Sequence, residues 1–287
     1  MKNQKTYFFL RGFMRSGTNW IGNLLNLHPE ICCNGEYHFH RLYEGFERIT
    51  NPKREPQALL MHPDLRLKAT VEFERFVKRL IELGSRPLNK PDAFVLGGRT
   101  PSPLRKRVIR NAKRIHVIRD GRDCLVSSTF HFLRLEKTSY PFEGFPEMLQ
   151  KKKLFQSNSS LFLDQPELLL DNEDWVRSRA KKWNKRIQQD KLFIDRNKDL
   201  IFCLSYEKLH ANTDSTRSQM YAFLGVDPAK AAPLDNQTTA GFKKENIKSH
   251  YRKGAIGDWK KYFNEDVNRW FFAEADAGMK VAKYKLD

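Results

Sequence analysis

Two rhythms of apolar and polar residues alternate along the chain. Residues 7–12, YFFLRG, are a short apolar run ending in glycine, and over residues 18–27 the apolar positions return at helical spacing until His28-Pro29 closes the run. That order predicts a strand, a loop and a helix. A second short strand is predicted at 31–33, ending at Asn34-Gly35, then a helix at 71–83, strands at 93–96 and 115–118, and a helix at 123–132. A strongly basic helix follows at 175–189, a strand at 200–204 and a helix at 215–224 ended by Gly225. Trp259 and Phe263, four apart, read as packing residues on a C-terminal helix. Strands separated by helices predict a parallel sheet flanked by helices on both faces, the α/β class. The whole chain, 1–287, is expected to form a single domain, with 131–174 as an insertion or lid beside a substrate site because it shows no clean periodicity.

In such sheets ligands bind at the carboxyl ends of the strands, so the places to inspect follow residues 12, 33, 96, 118 and 204. After the first strand stands Arg15-Ser16-Gly17-Thr18-Asn19, leading into the helix. A glycine there lets backbone amides approach an anion, and the helix N-terminus adds partial positive charge. Gly12, Gly17 and Thr18 have the spacing of a nucleotide-binding P-loop, yet the lysine of that pattern is absent and Arg15 lies inside the loop. After the fourth strand comes RDGRDCLVSS, where Arg119 at the strand end and Ser127 on the next helix can turn toward one phosphate. Asp120, with Arg122 beside it, reads as a salt bridge or helix cap rather than a metal ligand.

Charge adds a constraint on partners without choosing one. The 52 Lys and Arg against 34 Asp and Glu leave a formal +18, which suits polyanionic partners. RKRVIRNAKR, residues 105–114, reads as a solvated basic face. No apolar run approaches a membrane span and the N-terminal apolar stretch is too short for a secretory signal, so a cytoplasmic protein with no transmembrane segment is expected. The four cysteines lack a disulfide or metal spacing; they read as reduced thiols, with Cys32 and Cys33 alternating across a buried strand. No metal site is expected.

Three segments together resemble one family. FMRSGTNWIGNLL, residues 13–25, resembles the 5′-phosphosulfate loop of sulfotransferases that use 3′-phosphoadenosine 5′-phosphosulfate (PAPS). VIRDGRDCLVS resembles their 3′-phosphate motif, and YRKGAIGDWKKYF is similar to the RKGxxGDWKxxF signature of the cytosolic branch. The resemblance implies a P-loop-type sheet and in-line transfer of a sulfuryl group to an acceptor hydroxyl or amine, releasing adenosine 3′,5′-bisphosphate (PAP). It also implies roles by position. Arg15 would sit at the sulfate-bearing 5′ end, with Ser16, Gly17, Thr18 and Asn19 in the cradle. Trp20 would pack on adenine with Tyr206 close by, and Arg119, Ser127, Arg252, Lys253 and Gly254 would hold the 3′-phosphate. QTTAGF stands where the family has an adenine-side TSF stretch, with different spacing.

One departure bears on catalysis. Where cytosolic members carry a catalytic histidine in KTHLP, this chain reads GGRTPSPL, which supplies Arg99 as a second charge near the transferred group and no histidine. HPEICCNGEYHFH resembles the HP…GE stretch of tyrosylprotein and bacterial sulfotransferases, which makes Glu36 the expected general base, with His38 as its rival. A P-loop kinase is the enzyme alternative, though it would need the missing lysine. A basic binder of nucleic acid or membrane is the non-enzyme one. No stripe of exposed aromatics supports it, and no nucleic-acid partner is expected. The acceptor stays open among lipid, glycan, small alcohol and protein side chain, with an anionic or amphipathic one compatible with the charge.

Overall fold

The computed structural model describes residues 4–51, 53, 63–101, 104, 108–135, 141–235, 238–239 and 253–285. Strands β1 (Thr6–Gly12), β2 (Ile31–Glu36), β3 (Val95–Arg99), β4 (Lys113–Ile118) and β5 (Ile201–Ser205) form one sheet in the order β2-β3-β1-β4-β5. Every pairing is parallel. The helices are α1 (Thr18–Asn26), α2 (Phe39–Thr50), α3 (Pro63–Ser85), α4 (Gly121–Arg134), α5 (Pro146–Ser157), α6 (Leu161–Asp164), α7 (Glu173–Asp195), α8 (Tyr206–Ala211), α9 (Thr213–Leu224) and α10 (Glu265–Ala282).

Alternation along β1 divides the core. Phe8 and Leu10 face α1 and α9, packing with Ile21, Leu24, Leu25 and Tyr221, while Phe9 faces Val77 and Ile81 of α3 on the other side. Each such fully buried aliphatic side chain contributes about 1.5–3 kcal/mol. Cys32 and Cys33 divide the same way, one to each face, and all four cysteines are free thiols. Beyond β4, helices α4, α5, α7 and α10 build a separate aromatic-rich cluster around Trp175, Trp183 and Phe271.

Local chemistry places the helix starts. Asn172 caps α7 by accepting from Trp175 N at 2.8 Å, and Glu173 and Asp174 fill the first turn, so this helix begins before its apolar pattern does. Asp120 caps α4 by accepting from Arg122 N at 2.8 Å and pairs with the same side chain at 2.9 Å, the two roles expected of it.

Three expectations need correction. Residues 108–114 are no solvated face: Val108 and Ile109 are core, Arg110 bonds Glu74 at 2.7 Å, and Arg114, 3% exposed, donates to the carbonyls of Ala112 and Ile109. Backbone acceptors and one carboxylate take up those charges. Trp259 lies in a 3₁₀ turn, Asp258–Lys261, and α10 starts only at Glu265, where Asn264 caps it. Finally, the stretch 131–174 holds α5 and α6, whose Met148, Phe155 and Phe162 sit in the large cluster. The lysines of α5 hid that pattern, because Lys151 and Lys152 bury their stems and reach backbone carbonyls with their ends. Among the described residues no helix is long and apolar enough to cross a membrane.

Candidate active site

At the carboxyl edge of the sheet lies a cavity of about 910 Å³, lined from the end of β1 and the β1–α1 loop, β2, β3, Arg119 just after β4, α4, α7, the start of α8 and the 253–258 segment. The sheet order puts β1 between β3 and β4, with the chain leaving β1 toward β2 on one side and later entering β4 on the other. Such a reversal opens a crevice at the strand ends.

The β1–α1 loop is held in an unusual shape. Arg15 (φ 66°) and Gly17 (φ 97°) both adopt left-handed backbone, and Ser16 N donates to Phe13 O at 3.1 Å. A Cβ on Gly17 would lie 2.6 Å from the Tyr206 ring, so only glycine lets that ring close on the loop. Tyr206 in turn donates to Gly254 O at 2.7 Å, stands edge-on to Trp20 at 5.5 Å, and lies under the Arg119 guanidinium at 4.3 Å. Trp20 donates from Nε1 to Thr238 O at 2.7 Å, so the QTTAGF stretch does reach the tryptophan.

Arg119 joins three segments. Its Nη1 donates to Arg15 O at 3.2 Å, its Nη2 to Ala255 O at 2.7 Å, and it pairs with Asp123 at 3.5 Å. Burial opposes its charge, yet Asp123 and then Tyr206 outweigh burial and the guanidinium is raised above its ordinary value. Asp123, 2% exposed, accepts from Gly257 N at 2.9 Å and Trp259 N at 3.1 Å. Burial raises its pKa in spite of Arg119 and those two amides. Lys253 faces the same cavity and pairs with Asp258 at 2.8 Å, and Ser127 accepts from Arg15 Nε at 3.2 Å.

Two buried atoms test whether this end fits a phosphate. Ser16 Oγ and Arg119 Nε find no hydrogen-bond partner among the described residues. Buried donors without partners are costly; Arg119 lines a cradle made of loop amides, a helix N-terminus and cations, while Ser16 Oγ is buried within the loop beside Gly12. The residues fit an anion with phosphate-like oxygens.

On the other side of the loop, Glu36 and Arg99 stand opposite one another across β2 and β3, after a register irregularity at Asn34-Gly35. Arg99 is braced by Gly35 O at 3.2 Å and Asn19 Oδ1 at 2.5 Å. Glu36 lines the cavity with its side chain half exposed, and His38 Nε2 lies 3.5 Å from it. His38 is not among the lining residues.

The structure therefore gathers Arg15, Gly17, Thr18, Asn19, Trp20, Arg119, Ser127, Tyr206, Lys253 and Gly254 at one edge and adds Glu36 and Arg99 beside them; Ser16 is buried within the loop and off the cavity lining, and Arg252 lies outside the described residues. It also brings in groups that the sequence reading passed over. Asp123 stood in plain view four residues after Arg119, on the inward side of an arginine-rich motif. Arg11 and the cations of α7, Arg179, Lys182, Lys185 and Arg186, line the cavity as well. Among the described residues no group of three His, Cys, Asp or Glu is arranged to hold a metal.

A family model described as Sulfotransferase domain matches residues 5–280. No curated protein matches the chain. Among solved structures, a mouse sulfotransferase complexed with PAP is 16% identical, over 98% of this chain and 86% of that one, with a TM-score of 0.49. A sulfotransferase from Alicyclobacillus acidocaldarius is 15% identical over 99% and 98%, TM-score 0.49. Retinol dehydratase in complex with androsterone and inactive cofactor PAP is 18% identical over 98% and 82%, TM-score 0.45.

Proposed function

The chain belongs to the sulfotransferase domain family, and we propose that it works as an enzyme of that family, moving the sulfuryl group of PAPS to an acceptor hydroxyl or amine and releasing PAP. The observation that carries this reading is the unpartnered Arg119 Nε in a cavity lined by Arg15, Ser127 and Lys253 and built without the P-loop lysine. When bound, PAPS would supply a sulfuryl group whose S–O bond to the 5′-phosphate breaks as a new S–O or S–N bond forms to the acceptor.

The chain's residues divide the work. Arg15 and the amides of residues 16–19 hold the 5′ end and stabilise charge collecting on the leaving oxygen, an interaction stronger in the transition state than before it. Arg119, Ser127, Arg252 and Lys253 hold the 3′-phosphate through charge-assisted hydrogen bonds suited to a dianion. Trp20 and Tyr206 form the adenine side. Glu36 takes the proton from the acceptor oxygen, and Arg99, fixed between Gly35 and Asn19, keeps positive charge beside the transferred group. His38 stands beside Glu36, with Nε2 3.5 Å from its carboxylate and off the cavity lining. From the 131–174 stretch, His131 lines the cavity. A cytoplasmic location goes with the four free thiols.

Binding of PAP measured against binding of ATP with magnesium tests the reading. PAP should bind at least tenfold more tightly. Tighter, magnesium-dependent binding of ATP would hand the site to the kinase alternative.

A further inference from the structure

The cavity has a second wall that the PAPS reading leaves unused. Arg179, Lys182, Lys185 and Arg186 recur at helical spacing on α7 and all four line the cavity, so one helix face presents cations over about 10 Å of axis. Arg179 marks the end nearest the chemistry, with Nη2 at 3.6 Å from Sδ of Met14, the residue before Arg15. At the other end, Arg11 on β1 pairs with Asp190 at 2.6 Å, and that carboxylate also feels the charge of Arg186.

Among the described residues, Asp190 offsets Arg186 in part and is shared with Arg11. The carboxylates lining the cavity are Glu36, Asp123 and Asp258, and the last two are engaged with Arg119 and Lys253 on the cofactor side. Among the described residues Lys182, Lys185 and Arg186 form no ion pair, and Nη1 of Arg186 is buried without a hydrogen-bond partner. Like charges three and four residues apart destabilise a helix. Desolvation, and then the charge of Arg179, lower the Lys182 ammonium below its ordinary value. A surplus that costs the fold, turned into a cavity, is the arrangement that attracts and orients an anion.

Resting on the sulfotransferase reading, we propose that the acceptor is itself multiply anionic. It carries carboxylate, sulfate or phosphate groups that lie along Lys182, Lys185 and Arg186 while its nucleophilic oxygen or nitrogen faces Glu36.

The test uses the full chain saturated with PAP. Benzenehexacarboxylate, a polyanion with no nucleophile, is titrated into this complex by calorimetry, and sulfation by PAPS is followed for 5-(hydroxymethyl)isophthalate and its neutral dimethyl ester. The polyanion should bind the PAP complex, and the dianionic alcohol should show a KM about tenfold or more below that of the ester. In Lys182→Gln/Lys185→Gln/Arg186→Gln both effects should fall by about tenfold with the PAP Kd unchanged. A charge-matched control, Lys181→Gln/Lys191→Gln/Lys280→Gln, alters residues outside the cavity wall and should keep them. Failure of the polyanion to bind the wild-type PAP complex, or equal losses in the two triple variants, would sink the proposal while PAP binding leaves the sulfotransferase reading standing. Absence of PAP binding would overturn that reading first.

Discussion

Arg15 and Ser127 meet across the active-site edge: the guanidinium Nε of the loop residue donates to the hydroxyl of the α4 residue at 3.2 Å. The group assigned to the 5′ end thus touches a group assigned to the 3′-phosphate, and Arg119 Nη1 reaches the carbonyl of the same arginine at 3.2 Å. One short network spans both ends of the proposed nucleotide site.

That network separates two kinds of loss. Arg119→Ala removes charge-assisted bonds to a bound phosphate, each about 1.5–3 kcal/mol, and should weaken PAP by roughly ten- to a hundredfold. Arg15→Ala should instead lower kcat by about 10²-fold, the scale of losing one donor to developing charge, with a much smaller change in PAP affinity. Calorimetry and steady-state kinetics on both variants check the split; a reversed pattern would exchange the two assignments.

Glu36→Gln should cut turnover by about 10²- to 10⁴-fold while PAP binding and the unfolding midpoint stay near those of the parent. His38→Asn should have a small effect, since His38 stands off the cavity wall. Near-normal turnover in the Glu36 variant together with a dead His38 variant would move the base to the histidine.

Asp123→Asn should weaken PAP by about tenfold, as the clamp on Gly257 N and Trp259 N loses its charge and Arg119 loses its partner. At saturating PAPS the kcat should recover, because Asp123 positions the phosphate-binding segment and touches no reacting atom. A kcat that stayed low at saturation would contradict that division.

Gly17→Ala combines a left-handed backbone (φ 97°) with a Cβ 2.6 Å from the Tyr206 ring. Strain of about 1–3 kcal/mol is expected, with loss of PAP binding as Tyr206 is pushed off the loop. Unfolding and PAP titration of the variant report the two effects separately.

His116 gives a pH dependence. It is fully buried, 3.8 Å from Asp190, whose charge is already engaged by Arg11 at 2.6 Å. Burial, then Arg11 and Arg186, hold its pKa well below the ordinary 6.5, so it is neutral in the native protein. Below pH 6.5 the unfolded chain takes up a proton that the native state refuses, and stability falls by up to about 1.4 kcal/mol per pH unit. Asp123, Asp190 and Glu207, raised by burial, act in the opposite sense as the pH drops further, so the difference between parent and His116→Gln isolates the histidine. Denaturant unfolding from about pH 5 to 8 should show a shallower slope in the variant; parallel profiles would mean that His116 is charged or accommodated in the native state.

What the sequence determined by itself is what depends on neighbours along the chain. Apolar spacing set the strands and most helices, Gly17 before a helix set the anion loop, and the residues RDGRDCLVS and GDWKKYF carried the family resemblance. These signals are local because strand and helix periodicities and glycine backbone geometry need no distant partner. The tertiary structure decided what needs partners far apart. Residues 108–114 read as solvent-facing until Glu74 and backbone carbonyls took up their charges, and α5 was hidden because buried lysine stems look polar in a sequence. Asp123 became a clamp only when the turn at 257–259 folded back across 134 residues to reach it. The helix over 175–189 read only as strongly basic, and only the packing of that helix beside β1 turned some of its cations into a cavity wall, since side-chain direction follows from the helix's neighbours and not from its composition.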